Sequence, residues 1–147
     1  MSTENRLVEG LRRAGARMTA QRLAICEYLD GNTGHPTVSD VYEALRAQFP
    51  TMSLATVYNT LRLLVELDLV HEAATAPDGS TRYDPDTEPH LNLICTSCHR
   101  IADVHELDLS QIDRLSSAQG FQVADINVAV HGLCSICQQR LNVMERN

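Results

Sequence analysis

Apolar positions recur at helical spacing through the first part of the chain and then give way to alternation. Val8 and Leu11 mark a short first helix, interrupted at Gly15. Thr19 is placed to cap a second helix carrying Ile25, Cys26 and Leu29, and Asp30-Gly31-Asn32 stops it. Thr37, with Asp40 three residues on, predicts a capping box ahead of the stripe Val38, Val41, Tyr42 and Leu45, which Pro50 ends. Ser53 predicts the cap of a fourth helix, with Leu54, Val57, Leu61 and Leu64 turned inward and Ala55, Tyr58, Asn59 and Arg62 outward. Leu69-Val70-His71-Glu72 and Thr81-Arg82-Tyr83-Asp84 then flank Pro77-Asp78-Gly79-Ser80, a strong turn signal, and predict a β-hairpin.

Short helices followed by a hairpin form the winged helix-turn-helix pattern, whose last helix lies in the major groove. The outward face of the fourth helix suits that role. Tyr58 and Arg62 can reach phosphates, and Asn59 can hydrogen-bond base edges. An ordinary solvated polar face fits the same pattern.

Pro85-Asp86-Thr87-Glu88-Pro89 reads as a stiff, solvated hinge, dividing the chain into a winged-helix domain over 1–84 and a second domain over 90–147. In the second domain His90-Leu91-Asn92-Leu93-Ile94 and Arg100-Ile101-Ala102-Asp103-Val104-His105 alternate as strands do. A helix with Leu109, Ile112 and Leu115 ends at Gly120, Phe121–Val130 reads as a strand, and a last helix begins near Cys134. The fold class predicted is α+β, with an α/β domain small enough to need a staple.

Composition bounds the function. With 147 residues, 44% of them hydrophobic, the chain can bury a core. No apolar run approaches the roughly 18 residues of a membrane span. Met1-Ser2-Thr3-Glu4-Asn5-Arg6 leads into no apolar segment of a secretory signal, so a soluble cytoplasmic protein is expected. The net charge of −7 argues against nonspecific coating of nucleic acid. It is unevenly spread: residues 1–62 hold seven arginines against six acids, so the acidic excess lies beyond them.

Four of the 5 cysteines form two pairs, Cys95-Thr96-Ser97-Cys98 and Cys134-Ser135-Ile136-Cys137. Two thiolates on a tight turn grip one ion, and two such turns complete a tetrahedron with no open position, which suits structural Zn²⁺. Two thioredoxin-like redox motifs are the competing reading. Cys26 has no partner at ligand spacing and is expected to be a buried thiol.

A second constellation is built from nitrogen and oxygen. His90 and Asn92 share one face of a strand and Asp103 and His105 one face of the next; if the strands pair around the Cys95–Cys98 turn, their side chains can converge. Asp84 closes the hairpin and His35 precedes the third helix. Such a set suits Fe²⁺, Mn²⁺ or Zn²⁺, although each residue alone is more commonly a solvated surface group. His71 and His131 join no constellation. No nucleophile stands beside a base, so an enzyme of the Ser-His-Asp or Cys-His kind is not proposed.

These residues resemble the ferric uptake regulator superfamily of bacterial metal-dependent repressors. The resemblance runs from Arg17-Met18-Thr19-Ala20-Gln21-Arg22 to the Cys134–Cys137 pair. It is most specific at Ala55-Thr56-Val57-Tyr58-Asn59-Thr60-Leu61, at Arg82-Tyr83-Asp84 and at the two cysteine pairs. It implies a homodimeric repressor binding double-stranded operator DNA, with a zinc-stapled dimerisation domain and a regulatory Fe²⁺ or Mn²⁺. The regulatory ligands implied are His35, Asp84, His90, Asn92 and Asp103. The DNA-binding residues implied are Arg17, Arg22, Ser53, Thr56, Tyr58, Asn59 and Arg62. Asn92 departs from the family, which has a histidine there, and His105 is a candidate to compensate. Aspartate at 103, in place of a glutamate, is similar to the peroxide-sensing branch. In that branch bound Fe²⁺ reacts with hydrogen peroxide and a ligand histidine is oxidised, His35 and His90 being the candidates. The alternatives carried forward are an iron, manganese or zinc uptake regulator without peroxide sensing, and a zinc-ribbon thiol oxidoreductase.

Overall fold

Each of the first four helices begins where a side-chain oxygen takes over an otherwise orphaned backbone N–H. In the computed structural model, which describes residues 4–147, Asn5 caps α1 (Arg6–Arg13) by accepting from the Leu7 and Val8 N–H groups. Thr19 caps α2 (Ala20–Leu29) through the Arg22 N–H. Thr37 and Asp40 form the reciprocal capping box of α3 (Val38–Leu45). Ser53 caps α4 (Leu54–Glu66) through the Thr56 N–H. A hairpin of β1 (His71–Thr75) and β2 (Thr81–Asp84) follows, its turn closed by the Ala76 N–H to the Ser80 carbonyl and by Gly79 at φ +86°.

The chain divides into two compact units, Met1–Thr87 and Glu88–Asn147. The first unit holds a continuous apolar core that includes Leu7, Leu11, Ile25, Leu29, Val57 and Leu61, all essentially inaccessible. Three expectations need correction here. α3 ends at Leu45, five residues before Pro50, with the intervening chain in turns. Leu54 is 49% exposed, because the first turn of α4 projects past the core, and Thr60 is buried on the inward stripe instead. The first hairpin strand starts two residues later than expected and is bulged between Glu72 and Ala74.

The second unit is a three-stranded sheet, β3 (Leu91–Cys95), β4 (Ile101–Val104) and β5 (Val128–Gly132), with α5 (Ser110–Ala118) and α6 (Ser135–Glu145). Its order is β4-β3-β5, antiparallel on one side of β3 and parallel on the other. Phe121–Asn127 is not strand as expected; only Val128–Gly132 meets β3. β-branched residues record a fit to a pleated surface, not a partner, and Phe121 is left 70% exposed. The buried apolar residues of this unit are Cys95, Ile101 and Cys137, so its centre is made chiefly of thiols. No helix among the described residues is long and apolar enough to cross a membrane.

Candidate metal centres

The four cysteines of the second unit meet. Cys95 ends β3, Cys98 lies on the turn after it, Cys134 is the N-cap of α6 and Cys137 sits in its first turn. The Thr96 N–H donates to the Gly132 carbonyl at 2.8 Å, drawing one cysteine turn against the end of β5, just before the other pair. All four sulfurs lie within 4.8 Å of one another, and Cys98 Sγ stands 3.8 Å from Cys134 Sγ. A tetrahedron with zinc–sulfur bonds of about 2.3 Å has sulfur–sulfur edges of roughly 3.8 Å, whereas a disulfide needs about 2.05 Å.

Electrostatics point the same way. Backbone N–H groups, first that of Cys134 and then that of Cys98, bring the Cys95 thiol down to about 5. Cys134 is also lowered, foremost by the Cys137 N–H at the start of α6. At Cys137 the Ser97 hydroxyl pulls downward, but the crowded thiols of Cys134, Cys95 and Cys98, together with burial, push it up to about 11. Four thiols this close cannot all ionise unaided, and a dication removes the conflict. The arrangement fits a closed tetrahedral site of the structural zinc kind. Because all four sulfurs converge, neither C-x-x-C pair stands as a separate redox motif. Cys26, by contrast, is wholly inaccessible on α2, where burial raises its thiol to about 11.

The nitrogen and oxygen residues form a cluster within each unit. In the first, His35 Nε2 lies 3.2 Å from Asp84 Oδ2, and both side chains are almost fully buried. His35 takes a left-handed backbone, φ +51°, on a loop that β2 holds in place. The Tyr83 N–H donates to the Pro36 carbonyl at 2.9 Å, and the Arg82 guanidinium grips the carbonyls of Gly34 and His35. The Asp84 Oδ1 accepts from the Asp86 N–H, which leaves Oδ2 turned to His35.

In the second unit β3 and β4 pair in a register that sets Asn92 opposite Asp103. His90, two residues before Asn92, places its Nε2 3.5 Å from Asp103 Oδ1. Its Nδ1 lies 2.7 Å from the Glu88 carbonyl and so donates to it, leaving Nε2 as the nitrogen that faces Asp103. His105 stacks on His90 with ring centroids 5.0 Å apart. Asn92 is 4% exposed, and among the described residues its Oδ1 has no hydrogen-bond partner. Leaving a buried carbonyl oxygen unmet costs about 1–3 kcal/mol, and a cation offsets that cost. Imidazole, carboxylate and amide oxygens of this kind fit Fe²⁺ or Mn²⁺.

Of the residues expected at DNA, Arg17, Arg22, Thr56 and Asn59 line one open groove of about 610 Å³ between α2 and α4, together with Thr19 and Gln21. Arg22 donates to the Arg17 carbonyl at 2.7 Å. Tyr58 and Arg62 stand on the exposed face of α4, Arg62 paired with Glu66 at 3.0 Å, and the Ser53 hydroxyl is engaged as the helix cap. Sequence reasoning assigned no role to Arg82. The signal was its place between strand alternation and Asp84, but its target, a pair of carbonyls 47 and 48 residues away, has no local signature.

A winged helix joined to a thiolate-stapled α/β unit, with buried imidazole and carboxylate donors in both, defines a metal-dependent transcriptional repressor rather than an enzyme. The chain belongs to the ferric uptake regulator family, whose model matches residues 13–131. It is 41% identical over 136 residues to the peroxide operon regulator of Bacillus subtilis, covering 92% of this chain and 93% of that protein. Among solved structures it is similar to the peroxide-sensing PerR from Streptococcus pyogenes, at 38% identity, a TM-score of 0.50 and 90% of each chain. The Helicobacter pylori ferric uptake regulator shares the fold, with a TM-score of 0.73 at 18% identity over 90% of this chain and 89% of that one. Members of the family bind operator DNA and act as dimers.

Proposed function

We propose that this chain is a peroxide-responsive repressor whose operator binding depends on a regulatory Fe²⁺ or Mn²⁺ held by His35, Asp84, His90, Asn92 and Asp103. The observation that carries this reading is the buried juxtaposition of a histidine with a carboxylate in each unit, His35 with Asp84 and His90 with Asp103. Relatives named for peroxide regulation, matched over most of their length, supply the stimulus. Cys95, Cys98, Cys134 and Cys137 hold the structural zinc.

The chain's own residues set the chemistry. The Nδ1–H donation of His90 to the Glu88 carbonyl orients the ring so that Nε2 is the nitrogen that would serve a metal. The Asp86 N–H orients Asp84, and the β2 contacts orient His35. Fe²⁺, if held by these residues, would supply one-electron reduction of hydrogen peroxide. His35 and His90 are the candidate ligands for oxidation, which would weaken them as ligands. Ligands drawn from residues 1–84 and 90–147, on either side of the 85–89 hinge, link metal occupancy to the geometry of DNA reading.

The partner reading is operator DNA engaged by a homodimer in the cytoplasm. The second unit exposes Leu115, Phe121, Val130, Ile136, Leu141 and Val143, apolar surface that a second copy would cover. Arg17, Arg22, Thr56 and Asn59 around the α2–α4 groove, with Ser53, Tyr58 and Arg62 on α4, are proposed to contact the duplex. Mass spectrometry of the zinc-replete protein after peroxide tests the sensing step. With Fe²⁺, peptides containing His35 or His90 should gain oxygen; with Mn²⁺ they should not. Equal oxidation with both metals, or none with either, contradicts peroxide sensing and leaves a plain metal-uptake regulator.

A further inference from the structure

We propose that the Asn92 carboxamide sets the cation preference of the regulatory site, biasing it toward Mn²⁺ relative to Co²⁺ and Zn²⁺. This rests on the assignment of His90 and Asp103 as ligands made above. Asn92 lies opposite Asp103 across β3 and β4 and two residues from His90, so the pleat puts the three side chains on one face. The Asn92 Oδ1 is buried and has no hydrogen-bond partner among the described residues. The groups sharing its face do not donate to it: Asp103 presents a carboxylate oxygen, and His90 turns its Nδ1 proton to the Glu88 carbonyl. A buried carbonyl oxygen with no partner, set beside an imidazole and a carboxylate, is arranged as a ligand, not as a packing group.

The chemistry of that third donor decides selectivity. Imidazole favours the later divalent ions, whereas carbonyl and carboxylate oxygens suit Mn²⁺. In this unit two of the three donors are oxygens. The general affinity order of the divalent ions still holds, so the Asn92 effect appears in the ratio of affinities and not in their order.

The test is titration of the zinc-replete full-length protein with Mn²⁺ and with Co²⁺ against a competing chelator, with the Co²⁺ absorption spectrum as a second readout. Asn92→His should raise the Co²⁺/Mn²⁺ affinity ratio by about tenfold or more, the scale on which changes around a metal register, and should alter the Co²⁺ bands. Asn92→Asp, nearly isosteric, should tighten Mn²⁺ and move the ratio the other way. It also carries the test if the histidine variant loses its zinc or fails to fold. His90→Ala should weaken both metals. If His90→Ala does so while the folded Asn92 variants leave ratio and spectrum unchanged, the role of Asn92 is overturned. If His90→Ala binds both metals normally, the site assignment itself is wrong and this inference falls with it.

Discussion

Arg82 forks onto the loop that carries His35: its Nε donates to the His35 carbonyl at 2.9 Å and an Nη donates to the Gly34 carbonyl at 3.0 Å. His35 holds a left-handed backbone conformation, which a non-glycine residue keeps only when its surroundings over-determine it. The guanidinium fork supplies that determination and so aims the imidazole at Asp84. A lysine, with one point charge, cannot make the same two bonds. Arg82→Lys should therefore weaken regulatory Mn²⁺ binding by roughly tenfold, as loss of a ligand's supporting contact does, while leaving the bound zinc unchanged. In a His35→Ala background the same substitution should cost little more. Additive losses would mean that Arg82 acts on the fold at large.

The second unit depends on its thiolates, because its other buried apolar side chain is Ile101. Structural zinc sites of this type contribute about 10–16 kcal/mol of binding free energy to folding. Cys98→Ser should abolish zinc binding, melt the second unit and abolish dimerisation, as read by metal analysis, circular dichroism and sedimentation. A zinc-free variant that stays folded and dimeric would contradict the staple.

The pH dependence of the first unit follows from Cys26. Burial raises this thiol to about 11 from an ordinary 9.0, so the folded state binds its proton more tightly than the unfolded chain. Its contribution to stability is complete below about pH 9 and is lost as pH rises through 11, at up to roughly 1.4 kcal/mol per pH unit. Tyr83, raised chiefly by burial, adds loss of the same sign above its ordinary 10.0. Denaturant titrations between pH 8 and about 11 should show falling stability, with a shallower fall in Cys26→Ala. An unchanged slope in that variant would assign the alkaline loss elsewhere.

On the face of α4 proposed to meet DNA, Arg62 is tied to Glu66, an exposed pair worth little by itself. Arg62→Ala should weaken binding to an operator selected from random duplexes. It should also reduce the slope of log affinity against log salt by about 0.9, the value for one phosphate contact. Glu66→Gln should strengthen binding by releasing the arginine. Parallel salt curves for Arg62→Ala and the parent protein would place that side chain away from phosphate.

The elements that sequence reasoning located share a local cause. The Thr19, Thr37 and Ser53 caps, the Asp78-Gly79 turn and the cysteine pairs are all decided within four residues, and each lies where the spacing placed it. The failures share a cause too. Whether Leu54 faces in depends on how far the core extends beneath α4, and whether Phe121–Asn127 pairs depends on where β3 runs. Neither is written in local periodicity. Convergence of the Asn92 and Asp103 faces was legible on condition that the strands pair around the Cys95–Cys98 turn, while the register itself is set by the sheet; the Arg82 grip on Gly34 and His35 joins residues far apart and was not legible.

One measurement addresses the central claim most directly: operator affinity of the zinc-replete protein without added metal, with Mn²⁺, and with Fe²⁺ before and after hydrogen peroxide. Tight binding should require Mn²⁺ or Fe²⁺, and peroxide should abolish it only in the Fe²⁺ form. Equal affinity without any regulatory ion, or with His90 and Asp103 both replaced by alanine, would contradict the account.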